Sequence, residues 1–156
     1  GKSYVNNVKI GDKKCVYCMM NFWQNIGDLG KHKEKMDNLD VKKESLKIRL
    51  FDGLFRSSDN ILRNILVNEE GDLLSIDEGD MYGKRAMIFN ETDWHKKNCS
   101  REILVDVLHD LLSNADEKLK VVEDNLEFYG FPSSTYKTFE ERFKGYCEIV
   151  GTEFLG

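Results

Sequence analysis

Residues 58–80 read SDNILRNILVNEEGDLLSIDEGD, two apolar runs joined by a polar turn. NILVN and DLLSID are rich in β-branched and other large apolar side chains, and EEGD between them has the composition of a hairpin turn. A two-residue turn at Glu70-Gly71 pairs residue 69 with 72 and 68 with 73, so paired positions sum to 141. Carried outward, that register sets Asn64 opposite Asp77 at the open end of the hairpin, with Cβ atoms about 4.5 to 5.5 Å apart on one face. Asp59 stands five residues before Asn64, close enough for one loop to bring it to the same mouth.

One carboxylate and one carboxamide oxygen side by side suit a hard cation such as Mg²⁺, with phosphate oxygens and water completing the shell. Asp59 then occupies the place of a general base or of a carboxylate that orients a hydroxyl. Glu78 and Asp80 add acidic groups beside Asp77, and such residues after a strand are more often only solvated. Taken one at a time, Asp59, Asn64 and Asp77 fit ordinary turn and cap positions; their joint register is what singles them out.

The rest of the composition fits one ordered domain. The chain has 156 residues, of which 40% are apolar and 33% charged, and a single proline, which points to an α+β, mostly α globular fold. A net charge of -5 speaks against a general nucleic-acid binder, although a local basic cluster still attracts anions. No apolar run reaches the roughly 18 residues of a membrane span, and the polar start GKSYVNNVKIGDKK has no signal-peptide core, so the expected setting is cytoplasmic. Cys15, Cys18, Cys99 and Cys147 are expected to be free thiols. Cys15 and Cys18 form a C-x-x-C inside a strand-like run, where residues three apart point to opposite faces, and no second ligand pair at zinc spacing accompanies them.

Along the chain, SYVNNVKI and KCVYCMMNF flank Gly11-Asp12 and predict a hairpin, within a strand region over 1–25. The charged stretch from Gly27 to Lys43 predicts a loop and a solvated helix. A helix is expected over 41–56, carrying Leu46, Ile48, Leu50, Leu54 and Phe55; the catalytic-type loop and hairpin cover 57–80; helices fill 100–150. Ile103, Leu104, Val107, Leu108, Leu111 and Leu112 form one stripe behind Ser100 as N-cap. Two further helices are predicted from Glu117 to Phe128 and from about Ser133, just after Pro132. His95 and His109 have no carboxylate partner in view and read as structural.

The Asp-x4-Asn spacing of Asp59 and Asn64 matches the protein-kinase catalytic loop, and a hairpin leading to an Asp matches the strand before the kinase D-F-G. The stretch more closely resembles atypical kinases, the phosphoinositide-kinase-like and actin-fragmin-kinase-like enzymes, in which D-x-x-x-x-N-I, a Gly-containing hairpin and I-D-F-G or I-D-F-E follow one another. Asp59, Asn64, Ile65, Gly71, Ile76 and Asp77 stand at the matching positions. The likeness covers about 25 residues closely. It implies a kinase C-lobe-like fold, ATP and Mg²⁺ as cofactors, Asp59 as catalytic Asp, and Asn64 and Asp77 as metal ligands, with Asp77 the principal one. Departures are Ser57 and Ser58 where a His usually precedes the Asp, Ile61 where many kinases place a basic residue, and IDEGD in place of IDFG. Arg63, Lys84 or Arg85 is expected to supply the phosphate charge that Ile61 does not.

A kinase N-lobe carries a Gly-rich loop and a strand Lys, and the 58 residues before Asp59 contain no G-x-G-x-x-G. The resemblance therefore implies the C-lobe portion of a longer protein, with an N-lobe supplied by the rest of the gene product or by another chain. KCVYCMMNFWQN becomes the hinge strand, with the backbone near Met20 and Asn21 against the nucleotide. An ordinary buried strand reads equally well there. YGKR at residues 82–85 stands where a substrate-binding segment begins, and GKS at residues 1–3 lacks the upstream half of a P-loop. The expected activity is transfer of the γ-phosphoryl group of ATP to an acceptor hydroxyl on a protein or small molecule. The alternatives are a pseudokinase and a helical scaffold without catalysis.

Overall fold

The computed structural model describes residues 3–10, 13–20, 22–55, 62–76, 89 and 93–155. Two strands open it, β1 (Ser3–Ile10) and β2 (Lys13–Met20), antiparallel with Ile10 opposite Lys13; the turn expected at Gly11-Asp12 lies outside the described residues. A small antiparallel sheet follows in the order β3 (Gly27–Asp28), β4 (Ile65–Val67), β5 (Leu73–Ser75). Helices make up most of the remainder: α1 (Leu39–Leu54), α2 (Trp94–Asn98), α3 (Arg101–Leu112), α4 (Ala115–Phe128) and α5 (Ser133–Leu155). The fold is α+β and mostly helical. No helix among the described residues is long and apolar enough to cross a membrane.

The segment between Gly27 and Lys43, expected to be a loop and a solvated helix, is mostly exposed or half-buried and runs into α1, and it departs from the expectation in two buried side chains. Short 3₁₀ turns at Leu29–Lys31 and Lys33–Asp37 bury Leu29 and Met36 completely, and these pack with Ile65 and Val67 beneath the small sheet. Dense charge hides them in the sequence, because each buried apolar residue stands alone among lysines and acids. Helix α1 starts at Leu39 because Asn38 caps it, its side-chain oxygen accepting from the amides of Asp40 and Val41.

Helix α1 separates two cores. Leu46, Leu50 and Leu54 pack into a helical core with Leu104, Phe143 and Val150, whereas Val41 and Ile48 lean against the sheet core. Its apolar residues therefore spread around the helix instead of forming one stripe. The last turn of α1 is held from α5: Tyr146 Oη donates to Leu50 O over 2.6 Å, and Arg142 Nη1 donates to Leu54 O over 3.2 Å. The Arg142 bond satisfies the carbonyl of Leu54, one of the last four of the helix, which lack intrahelical donors, and the Tyr146 bond adds a second donor to Leu50 O.

Candidate functional site

The hairpin forms, in a register one residue from the expected one. Ile65 pairs with Ser75, Leu66 with Leu74 and Val67 with Leu73, so paired positions sum to 140 instead of 141. The connection is a three-residue loop, Glu69-Glu70-Gly71. Gly71 N donates to Asn68 O and Asn68 N to Asp72 O, each over 3.1 Å, and Gly71 sits at φ +87°. A two-residue hairpin turn of the favoured type needs positive φ at both central residues, which Glu70 resists. Asn68 reinforces the longer loop: its Oδ1 accepts from Asp72 N at 2.8 Å and its Nδ2 donates to the Asp72 carboxylate at 3.0 Å.

The shift changes what lies opposite Asn64. Ile76 N donates to Asn64 O over 2.8 Å, so Ile76, and not Asp77, continues the ladder against Asn64. Ile65 and Val67 point into the sheet core, and the two-residue period of the strand puts Asn64 on the other face, with Leu66 and Leu74. Asn64 is half-buried at the end of the 3₁₀ turn Leu62–Asn64, and Arg63 beside it is exposed. Met20 is the last residue of β2. Asp59, Asp77, Asn21, Lys84 and Arg85 lie outside the described residues, as do Glu78 and Asp80.

Glycine matters at one more point here. A Cβ on Gly30 would stand 3.0 Å from Asp28 Oδ1 and 3.7 Å from both Arg63 N and Leu62 Cβ. The turn after β3 thus lies directly against the turn that delivers Asn64, and β3 itself pairs with β4 through Gly27 with Val67 and Asp28 with Leu66. Composition hid this third strand, since a two-residue strand spelled Gly-Asp has no apolar period to detect. Among the described residues, no group of three or more His, Cys, Asp or Glu side chains is placed to hold a metal ion.

A second polar cluster, which the sequence did not suggest, ties α2 to α1. Arg49 forms a two-pronged pair with the Asp93 carboxylate, Nε at 2.9 Å and Nη2 at 2.8 Å, and its guanidinium lies 4.5 Å from the Phe89 ring centre. Asp93 also caps α2, accepting from His95 N and Lys96 N. His95 Nε2 lies 2.9 Å from Ser45 Oγ, while its Nδ1 is 4.0 Å from Asp93 Oδ1. Ser45 Oγ also lies 2.8 Å from Lys42 O and 3.3 Å from Met36 Sδ, and the imidazole beside it is neutral. Burial pushes the His95 pKa down to about 4, Arg49 adds to the shift, and Asp93 opposes it.

Serine, histidine and aspartate in this order invite a hydrolase reading, which the geometry rules out. Ser45 is 0% and His95 2% exposed, so no substrate reaches the hydroxyl, and the 4.0 Å His–Asp gap is too long for a hydrogen bond. The cluster is a structural clamp. The carboxylate that His95 lacked in the sequence is Asp93, two residues upstream and shared with Arg49. Cys99 is half-buried next to the clamp, and burial raises its pKa to about 11, which makes it an inert thiol.

Comparison of the chain with protein-family models, with curated proteins and with solved structures returned no match.

Proposed function

We propose that this chain is the catalytic-loop portion of a kinase-like phosphotransferase, moving the γ-phosphoryl group of ATP to an acceptor hydroxyl. One observation supports the reading above the others. The Ile76-to-Asn64 hydrogen bond joins the Asn end of the Asp-x4-Asn stretch to the residue immediately before Asp77. Asn64 and the residue before Asp77 thus stand at the same end of the hairpin, one position away from the direct opposition that the spacing predicts, and this is the end at which a kinase-like metal site would form. The half-buried Leu66 and Leu74 share the Asn64 face and suit the apolar side of a nucleotide base.

In this reading Asn64 and Asp77 hold Mg²⁺ through their side-chain oxygens, a donor set suited to a hard cation. The ion they would hold would supply positive charge to offset the negative charge that spreads over the transferring group. Asp59 holds the acceptor hydroxyl and takes its proton. Arg63, exposed beside Asn64, and Lys84 supply positive charge to phosphate oxygens in place of Ile61. Backbone near Met20 and Asn21 meets the base, an N-lobe from the same gene product or another chain covers the nucleotide, and the setting is cytoplasmic.

The second reading is a pseudokinase or scaffold. It draws on Ile61 and on Glu78-Gly79, which stand where kinases carry a basic residue and the Phe-Gly of D-F-G. Transfer from radiolabelled ATP separates the two. Asp59→Asn is expected to lower turnover by about 10²- to 10⁴-fold and keep Mg²⁺-dependent nucleotide binding. Asp77→Asn is expected to lose both. Nucleotide binding without transfer in the parent chain favours the pseudokinase.

A further inference from the structure

The groove between α1 and α4 lies away from the hairpin and has no part in the reading above. It encloses about 630 Å³, within the range of about 300 to 1,000 Å³ in which small molecules are bound. Leu54, Phe55, Leu111, Phe139 and Phe143 form its buried floor. Phe51 on α1 and Val121 on α4 line its mouth and are 38% and 59% exposed, so two large apolar side chains meet water at the entrance.

The polar groups at the rim determine what the groove accepts. Lys47 is held by Asp110 at 2.6 Å, and Lys118 donates to Asp110 O and Leu111 O at 3.0 and 2.9 Å, where it caps the end of α3. Both lysines are thus engaged within the protein. Asn125 Nδ2 donates to Val121 O at 2.8 Å, which leaves its Oδ1 as an acceptor, and Glu117 makes no hydrogen bond or ion pair among the described residues. The rim can therefore both accept hydrogen bonds, at Asn125 Oδ1 and Glu117, and donate them, from the second Asn125 Nδ2 hydrogen and the remaining ammonium hydrogens of Lys47 and Lys118. An anionic head would meet Glu117 and a cationic head Lys47 and Lys118 at the same rim, whereas a hydroxyl both donates and accepts and carries no charge.

We infer that the α1–α4 groove binds a neutral, largely apolar molecule with a hydroxyl at one end, the apolar body on the Phe139–Phe143 floor and the hydroxyl donating to Asn125 or Glu117.

The test is a fluorescence titration of the full chain with Nile red, a neutral apolar probe, followed by displacement with decanol, decanoate and decylammonium. Saturable Nile red binding is expected, with decanol displacing it at concentrations about tenfold lower than either charged analogue. Val121→Asp at the mouth should abolish binding without changing the melting temperature. Asn125→Leu, on an exposed position, should remove the advantage of decanol, and it serves as the test if Val121→Asp melts early. Absence of saturable binding, unchanged binding in both variants, or equal displacement by decanoate overturns the inference. Self-association of the parent chain in sedimentation that Val121→Asp abolishes, without Nile red binding, also overturns it and assigns the groove to a second copy.

Discussion

The amide of Ile76 donates to the carbonyl of Asn64 over 2.8 Å, and this bond sets the register of the hairpin at the end nearest Asp77. The register depends in turn on the loop at the other end, where Gly71 adopts φ +87° and a Cβ would stand 3.0 Å from Val41 Cγ2. Gly71→Ala is expected to lower stability by about 1 to 3 kcal/mol, combining the positive-φ strain with the contact against α1. Gly145 in α5 is the control: a Cβ there meets nothing within 4 Å, and Gly145→Ala should stabilise by about 0.5 to 1 kcal/mol. Urea denaturation of the two variants measures both signs.

The Arg49–Asp93 pair is almost fully buried, at 8% and 9% side-chain exposure. Taking away one charge leaves the other stranded, so Arg49→Met and Asp93→Asn should each cost about 3 to 5 kcal/mol. Asn is chosen at 93 because it keeps an oxygen to cap α2. The double variant should cost clearly less than the two singles together, and a denaturation double-mutant cycle measures the coupling. Additive losses would show that the two side chains act separately.

His95 gives the fold an acid-sensitive point. Its folded pKa, about 4, is below the ordinary value of 6.5, so the unfolded chain binds the proton more readily between those limits. The stability from neutral His95 is fully present above about pH 6.5 and is lost as pH falls toward 4, with a ceiling of about 3 kcal/mol. His95→Gln should be less stable at pH 7 and flatter than the parent between pH 7 and 4. Parallel pH profiles for the two proteins would remove His95 from the account.

Much of the helical half is legible in the sequence because each helix there carries a one-sided signal. Ser100 accepts from Ile103 N as the cap of α3, and Leu104, Val107, Leu108 and Leu111 are buried as their spacing predicts. Helix α5 begins at Ser133, directly after Pro132. Helix α1 ran two residues earlier than expected at each end, since its start is a side-chain cap by Asn38 and not an apolar boundary. The polar clamp was hidden for another reason. Ser45, Arg49, Asp52 and His95 are buried, and only tertiary packing reveals that a polar side chain on a helix faces inward. At the candidate site, sequence spacing located the hairpin and the loop chemistry of Asn68 moved its register by one residue.

The measurement that bears most directly on the central proposal is calorimetric titration of ATP into the chain with and without Mg²⁺, beside Asp77→Asn. Binding in the parent is expected to require Mg²⁺ and to be lost in the variant, with both proteins equally stable. Nucleotide binding that is indifferent to Mg²⁺, or that Asp77→Asn retains in full, would contradict it and leave the hairpin a structural element without a metal site.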